Sequence, residues 1–185
     1  FINWIVKIFI TQKCCFYFIR IIMHIYLKNK YLYFGHYKIK CAIGKRGISI
    51  KKNEGDLCTP VGKFVFETLL YRKDRIKNLN TYISKKAIKK NMGWCDDPSL
   101  KEYNRLIRFP FNGSAEKLFL KKNSYDLVLV ISYNRNPVIP HRGSAIFLHL
   151  TSKSFKSTKG CIAIQKKDFL KILPHIRKKT RIIIN

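Results

Sequence analysis

Residues 125–133 read YDLVLVISY, residues 145–150 read AIFLHL and residues 161–164 read CIAI. The first is an almost unbroken apolar run of strand length, which predicts a strand buried on both faces. The second predicts a strand that reaches a histidine near its end, and the third a strand that opens on a cysteine. Asn134-Arg135-Asn136-Pro137 separates the first two as a turn. Working outward, residues 24–27, 31–34, 37–43, 62–70 and 181–184 also read as strands, and residues 37–43 alternate with the two-residue period of a half-buried one. Residues 72–92 are charged and irregular, and read as surface loop with some helix. One amphipathic helix is predicted over 167–176, with Phe169, Leu170, Leu173 and Ile176 near one face and Pro174 kinking or ending it. Many short strands with one or two short helices predict a mainly β, single-domain sandwich or barrel-like fold.

The chain has 185 residues, enough for one domain with a real core. Residues 1–22 are apolar but interrupted by Lys7, Lys13 and Arg20, too broken for a spanning helix and without the small-residue cleavage site of a secretory signal. They read as a leader before a domain over 23–185, with Met23 a plausible start and a degraded membrane anchor the second reading. Membrane contact is expected only through that leader, and no export signal is visible.

A net charge of +28 sets up a field that attracts anionic polymers or surfaces, and nucleic acid is one of the candidates. The lysines are scattered, and no nucleic-acid recognition motif accompanies them, so no specific nucleic-acid partner is expected. A binding module without catalysis is the reading that charge alone leaves open. Six cysteines at irregular spacing, with no C-x-x-C pair and no Cys/His cluster, predict neither a disulfide framework nor a structural metal. Five read as incidental thiols.

The sixth, Cys161, stands apart. It follows Thr158-Lys159-Gly160 at the mouth of a strand, and His149 lies twelve residues earlier near the end of another. Two adjacent strands joined by that loop bring thiol and imidazole to one rim. A free thiol titrates near ~8.5, and nearby cations favour its thiolate. An imidazole with an ordinary pKa near ~6.5 suits the transfer of that proton. The backbone N–H groups of Gly160 and Cys161 are candidates for an oxyanion hole.

Several blocks in fixed order carry a resemblance. Gly55-Asp56-Leu57-Cys58-Thr59-Pro60-Val61-Gly62, Met92-Gly93-Trp94-Cys95-Asp96-Asp97-Pro98, Tyr103-Asn104-Arg105, Ser144-Ala145-Ile146-Phe147-Leu148-His149 and Thr158-Lys159-Gly160-Cys161 together resemble the L,D-transpeptidase catalytic-domain (YkuD-type) family from about Tyr31 to the C-terminus. The histidine that usually precedes Gly-Cys in that family is Lys159 here. The serine that often follows the base is Leu150, which leaves a backbone carbonyl as the expected partner of the ring.

The resemblance implies a cysteine acyltransferase acting on peptidoglycan stem peptides, with a thioester on Cys161, His149 as base, 3→3 cross-links as product and no cofactor. The same residues would serve an L,D-carboxypeptidase that passes the acyl group to water. Arg142, Gly143, Thr158 and Lys159 are expected beside the pocket. Asp96, Asp97, Asn104 and Arg105 are expected to grip the charged ends of a stem. Thr59 and Pro60 are expected to fix a turn beneath the site, and Trp94 to serve as core or pocket wall. The substrate implies a periplasmic or cell-envelope location.

Overall fold

The computed structural model describes residues 22–50 and 53–185. The leader expected over 1–22 thus lies almost wholly outside the described residues. Five strands that the sequence announces form one half of the main sheet: β1 (Ile25–Lys28), β2 (Tyr31–Phe34), β3 (Tyr37–Lys40), β6 (Gly62–Tyr71) and β14 (Arg181–Ile184). The other half is β11 (Leu127–Ile131), β12 (Phe147–Leu150) and β13 (Ile162–Ile164). The order is β13-β12-β11-β6-β14-β1-β2-β3, with β7 (Lys85–Ala87) pairing β6 off that path.

The two edges of this sheet meet. Ala42, two residues past β3, and Ala163 in β13 exchange both backbone hydrogen bonds, at 2.8 and 2.9 Å. Thr158 extends the contact by donating to Ile43 O at 2.9 Å and accepting from Lys45 N–H at 2.9 Å. The sheet is therefore a nearly closed barrel, and closure satisfies edge groups that an open sheet would leave unpaired. Inside it pack Leu127, Leu129, Ile131, Leu148, Leu150, Ile162, Ile164, Phe66 and Leu69, all buried.

The uninterrupted hydrophobicity of β11 has a structural cause. Its odd-numbered residues fill the barrel, while Val128 and Val130 on the other face join a second cluster with Leu70, Trp94, Tyr125, Phe147 and Cys161. That second face is covered by a three-stranded sheet of β10 (Ala115–Lys117), β8 (Met92–Cys95) and β9 (Leu106–Arg108), in that order. β4 (Ile48–Ser49) and β5 (Thr59–Pro60) make a small parallel pair beside the seam.

Three expectations are corrected. Residues 72–92 hold no helix; β7 forms there by parallel pairing of residues 85–87 with the backbone of residues 69–71, an interaction between distant segments that local periodicity does not encode. The helix is shorter than predicted: α1 spans Lys166–Ile172, and Leu173–His175 continue as a 3-10 turn, because Pro174 supplies no N–H for a further α-helical bond. The run 125–133 is a strand only over Leu127–Ile131, with Tyr125 ending a 3-10 turn, Asn123–Tyr125.

The seam is tied to the segment before Cys161 by one hydroxyl. Thr59 is fully buried; its Oγ1 donates to Gly160 O at 2.9 Å and accepts from Gly44 N–H at 2.9 Å. The approach is close enough that a Cβ on Gly44 would stand 2.4 Å from Leu57 O. Thr59→Val keeps the shape and leaves a buried N–H and a buried carbonyl without their partner. It is expected to lower stability by about 2–6 kcal/mol, each of the two unsatisfied groups costing about 1–3, whereas Thr59→Ser should recover most of the loss in urea denaturation.

Candidate active site at the rim of two parallel strands

β12 and β13 pair in parallel, with Leu148 opposite Ile162, His149 opposite Ala163 and Leu150 opposite Ile164. Side chains alternate along a strand, so Phe147 and His149 share the outer face with Cys161 and Ala163. With a rise of about 3.3 Å per residue and about 4.8 Å between strands, the backbones at His149 and Cys161 lie roughly 8 Å apart on the diagonal. Both side chains thus emerge on one face, under the three-stranded sheet.

Cys161 is 9% exposed. Its thiol donates to Ala145 O at 3.0 Å, and its sulfur accepts from Phe147 N–H at 3.4 Å. The turn before it depends on Gly160, whose φ of +138° suits a residue without Cβ. Thr158 shapes the same turn, donating through Oγ1 to Cys161 O at 2.6 Å and accepting from Gly160 N–H at 3.1 Å. One of the two N–H groups expected for an oxyanion hole therefore already has an acceptor in this structure.

Of the other described cysteines, none forms a disulfide. Burial pushes the Cys41 thiol up to about 12 and raises Cys95 as well. Both are sequestered thiols. Among the described residues no group of three or more His, Cys, Asp and Glu is arranged to hold a metal.

His149 Nδ1 lies 3.0 Å from Leu150 O. A carbonyl only accepts, so Nδ1 is the donor in this contact whenever it carries the ring proton. The orienting partner is a backbone carbonyl, at the position where the resemblance offered no serine. Burial drives the ring down to about 4, against backbone hydrogen bonds to Leu150 and Ser124 that favour its charged form. At neutral pH the imidazole is uncharged and able to accept a proton.

The substrate-gripping residues expected from sequence divide. Asn104 does not face a ligand: it is 1% exposed and every polar atom of its side chain is engaged internally. Its Oδ1 accepts from Trp94 Nε1–H at 3.0 Å and from Ala145 N–H at 3.1 Å, while Nδ2 donates to Tyr133 O at 3.1 Å and Asn134 O at 2.6 Å. The residue whose carbonyl accepts from Cys161 is thus held in place by Asn104. Asp97 staples its own loop; its carboxyl is held below the usual range by bonds from the Ser99 hydroxyl, the Ser99 backbone and the Ser114 backbone. Asp96 has a buried Oδ1 with no hydrogen-bond partner among the described residues. Arg105 is exposed.

Arg142 is exposed and offers its carbonyl to Tyr133 OH at 2.5 Å. Gly143 N–H donates to Tyr103 OH at 2.9 Å, and Tyr103 donates in turn to Glu54 Oε2 at 2.5 Å. These contacts pin the loop that leads into β12. Lys159 is exposed, and its charge acts on Glu116.

Sequence reasoning passed over two residues that pack on the site. Tyr125, read as part of a strand, sets its ring 5.2 Å from that of His149 at 80°. Its hydroxyl donates to Glu116 Oε1 at 2.7 Å. The available signal was compositional: Glu116 is one of only ten acidic residues among thirty-eight basic ones.

The model of the YkuD family, the L,D-transpeptidase catalytic domain, matches residues 21–184. No curated protein matches the chain. Among solved structures, that of Bdellovibrio bacteriovorus Bd1075 is similar, at 16% identity and a TM-score of 0.43, over 88% of this chain and 47% of that one. The chain thus spans about half the length of that protein. With a catalytic-domain model covering nearly every residue of the fold just described, the chain belongs to the YkuD family of L,D-transpeptidase catalytic domains.

Proposed function

We propose that the protein is a cysteine acyltransferase of peptidoglycan stem peptides, acting in the cell envelope. The observation that carries this reading is the shared outer face of β12 and β13, on which Cys161 and a neutral, carbonyl-oriented His149 stand one diagonal apart.

In the proposed reaction His149 takes the thiol proton at its unprotonated nitrogen as the sulfur adds to the carbonyl carbon of the third stem residue. The tetrahedral oxyanion is met by backbone N–H groups of the turn 159–161, with Gly160 N–H exchanging Thr158 Oγ1 for the substrate oxygen. Collapse breaks the bond to the terminal D-alanine, whose nitrogen receives the proton from the imidazolium, and leaves a thioester on Cys161. The amine of a second stem then attacks the thioester, forming a 3→3 amide; its proton returns through His149 to the departing sulfur. Water in place of the amine gives the trimmed tripeptide. No metal or organic cofactor enters these steps.

Incubation with a disaccharide tetrapeptide tests the reading. The wild type should release D-alanine and yield a cross-linked dimer, a tripeptide or both, and their ratio separates transfer from hydrolysis. Cys161→Ala should release none, and His149→Ala should be slower by about a hundredfold or more, the usual contribution of a positioned base. Release by Cys161→Ala at the wild-type rate would overturn the assignment.

The pH profile follows from the burial of the ring. The base works only when neutral, and its proton is held at about 4. Activity should therefore persist as pH falls through 6 and decline only near 4. An acidic limb centred between 6 and 7 would contradict a buried, neutral base.

A further inference from the structure

We propose that Tyr125, anchored by Glu116, is the positioning residue that holds His149 in line for proton transfer. This rests on the reading of Cys161 and His149 as the reacting pair. A general base must stay within a fraction of an ångström of its working position, and a displacement of about 1 Å can cost a hundredfold in rate. His149 stands next to the end of β12, where the strand ladder gives a side chain least support.

The support comes from elsewhere in the chain. The 3-10 turn Asn123–Tyr125 packs on β12 and reaches the ring twice: through the backbone of Ser124, and through the edge-to-face contact of Tyr125 at 5.2 Å. A perpendicular aromatic contact resists tilting of either ring and contributes about 0.5–1.5 kcal/mol beyond burial. Leu150 O fixes Nδ1, so one ring atom is held by a hydrogen bond while the flank of the ring is held by packing.

Tyr125 is in turn fixed at both ends. Its ring meets Phe147 at 6.2 Å and 84°, and its hydroxyl donates to Glu116 Oε1 at 2.7 Å. Glu116 belongs to β10, where it lies opposite Trp94 of β8, and the Trp94 ring meets Phe147 at 5.0 Å and 86°. The contacts close a circuit through His149, Tyr125, Glu116, Trp94, Phe147 and back along β12. This circuit clamps the covering sheet to the strand that bears the base.

Glu116 is an expensive member of that circuit. Burial raises its carboxyl, Asp96 adds to the rise, and only the Tyr125 hydroxyl and the Lys159 charge oppose it. An isolated buried carboxylate is costly, whereas a charge-assisted bond to a phenol is about twice as strong as a neutral one. A carboxylate does what an apolar group cannot, which is to fix the phenol and with it the direction of the ring against His149.

The test uses the full-length protein with Tyr125→Phe, Glu116→Leu and Glu116→Gln. Three quantities are read: the acylation rate constant with a carbapenem, the non-covalent binding constant that precedes it, and the imidazole nitrogen and ring-proton resonances of His149. Tyr125→Phe and Glu116→Leu should slow acylation about tenfold, leave binding within about twofold and shift the His149 resonances. Glu116→Gln keeps an oxygen acceptor and should recover most of the rate lost in Glu116→Leu. Should Tyr125→Phe fold poorly, the Glu116→Leu and Glu116→Gln pair carries the comparison alone. Wild-type acylation and unmoved His149 resonances in Tyr125→Phe and Glu116→Leu would overturn the proposal. An unacylated wild type would instead refute the reacting pair, and the His149 resonances would then decide the positioning role by themselves.

Discussion

The parallel pairing of β12 with β13 is the constraint on which the site depends. Its register puts His149 opposite Ala163, and therefore puts Cys161 and His149 on the same outward face. A slip of one residue would turn the thiol into the barrel and bring Ile162 out to the site. The register is held by the barrel interior, where Leu148, Leu150, Ile162 and Ile164 are all buried, and by the seam, where Ala163 exchanges hydrogen bonds with Ala42. Packing in the barrel interior thereby fixes the face on which the thiol and the imidazole emerge.

The polar contacts around the rim add precision to that placement. Asn104 sets Ala145, and Ala145 O accepts from the thiol. Thr59 joins the seam to Gly160, directly before the thiol-bearing residue. Asn104 and Thr59 are both buried and both bond to backbone, so each converts a loop with many conformations into one. The same burial that orders the rim removes charge from it. His149 is held neutral, which suits a proton acceptor.

Much of the barrel was legible because its strands carry their signals locally. Residues 37–40 alternate, and residues 127–131 are apolar on both faces, as a strand between two layers must be. The strands of the covering sheet were not legible. β8, β9 and β10 have three or four residues each, too few to carry a periodic signal, and Met92 and Trp94 of β8 are buried in a cluster with Phe147 and Val130 that only the fold brings together. For the candidate site, Cys161 and His149 were singled out by type and spacing, while the part played by Asn104 in ordering Ala145 was not. An asparagine in a polar loop looks like a surface residue. Only its positive φ of 56° and the four backbone and indole partners around it reveal a buried knot. Tyr125 was hidden for a different reason: an aromatic residue at the head of an apolar run reads as one more strand residue.

The central claim is that one sulfur, at Cys161, is the acyl acceptor. Intact mass of the protein after exposure to a carbapenem, followed by peptide mapping, tests it most directly. The account predicts a single adduct of the drug's full mass, mapped to the peptide containing Cys161, and no adduct on Cys161→Ala. An adduct of equal yield on Cys161→Ala, or one mapped to Cys41, Cys58 or Cys95, would contradict it.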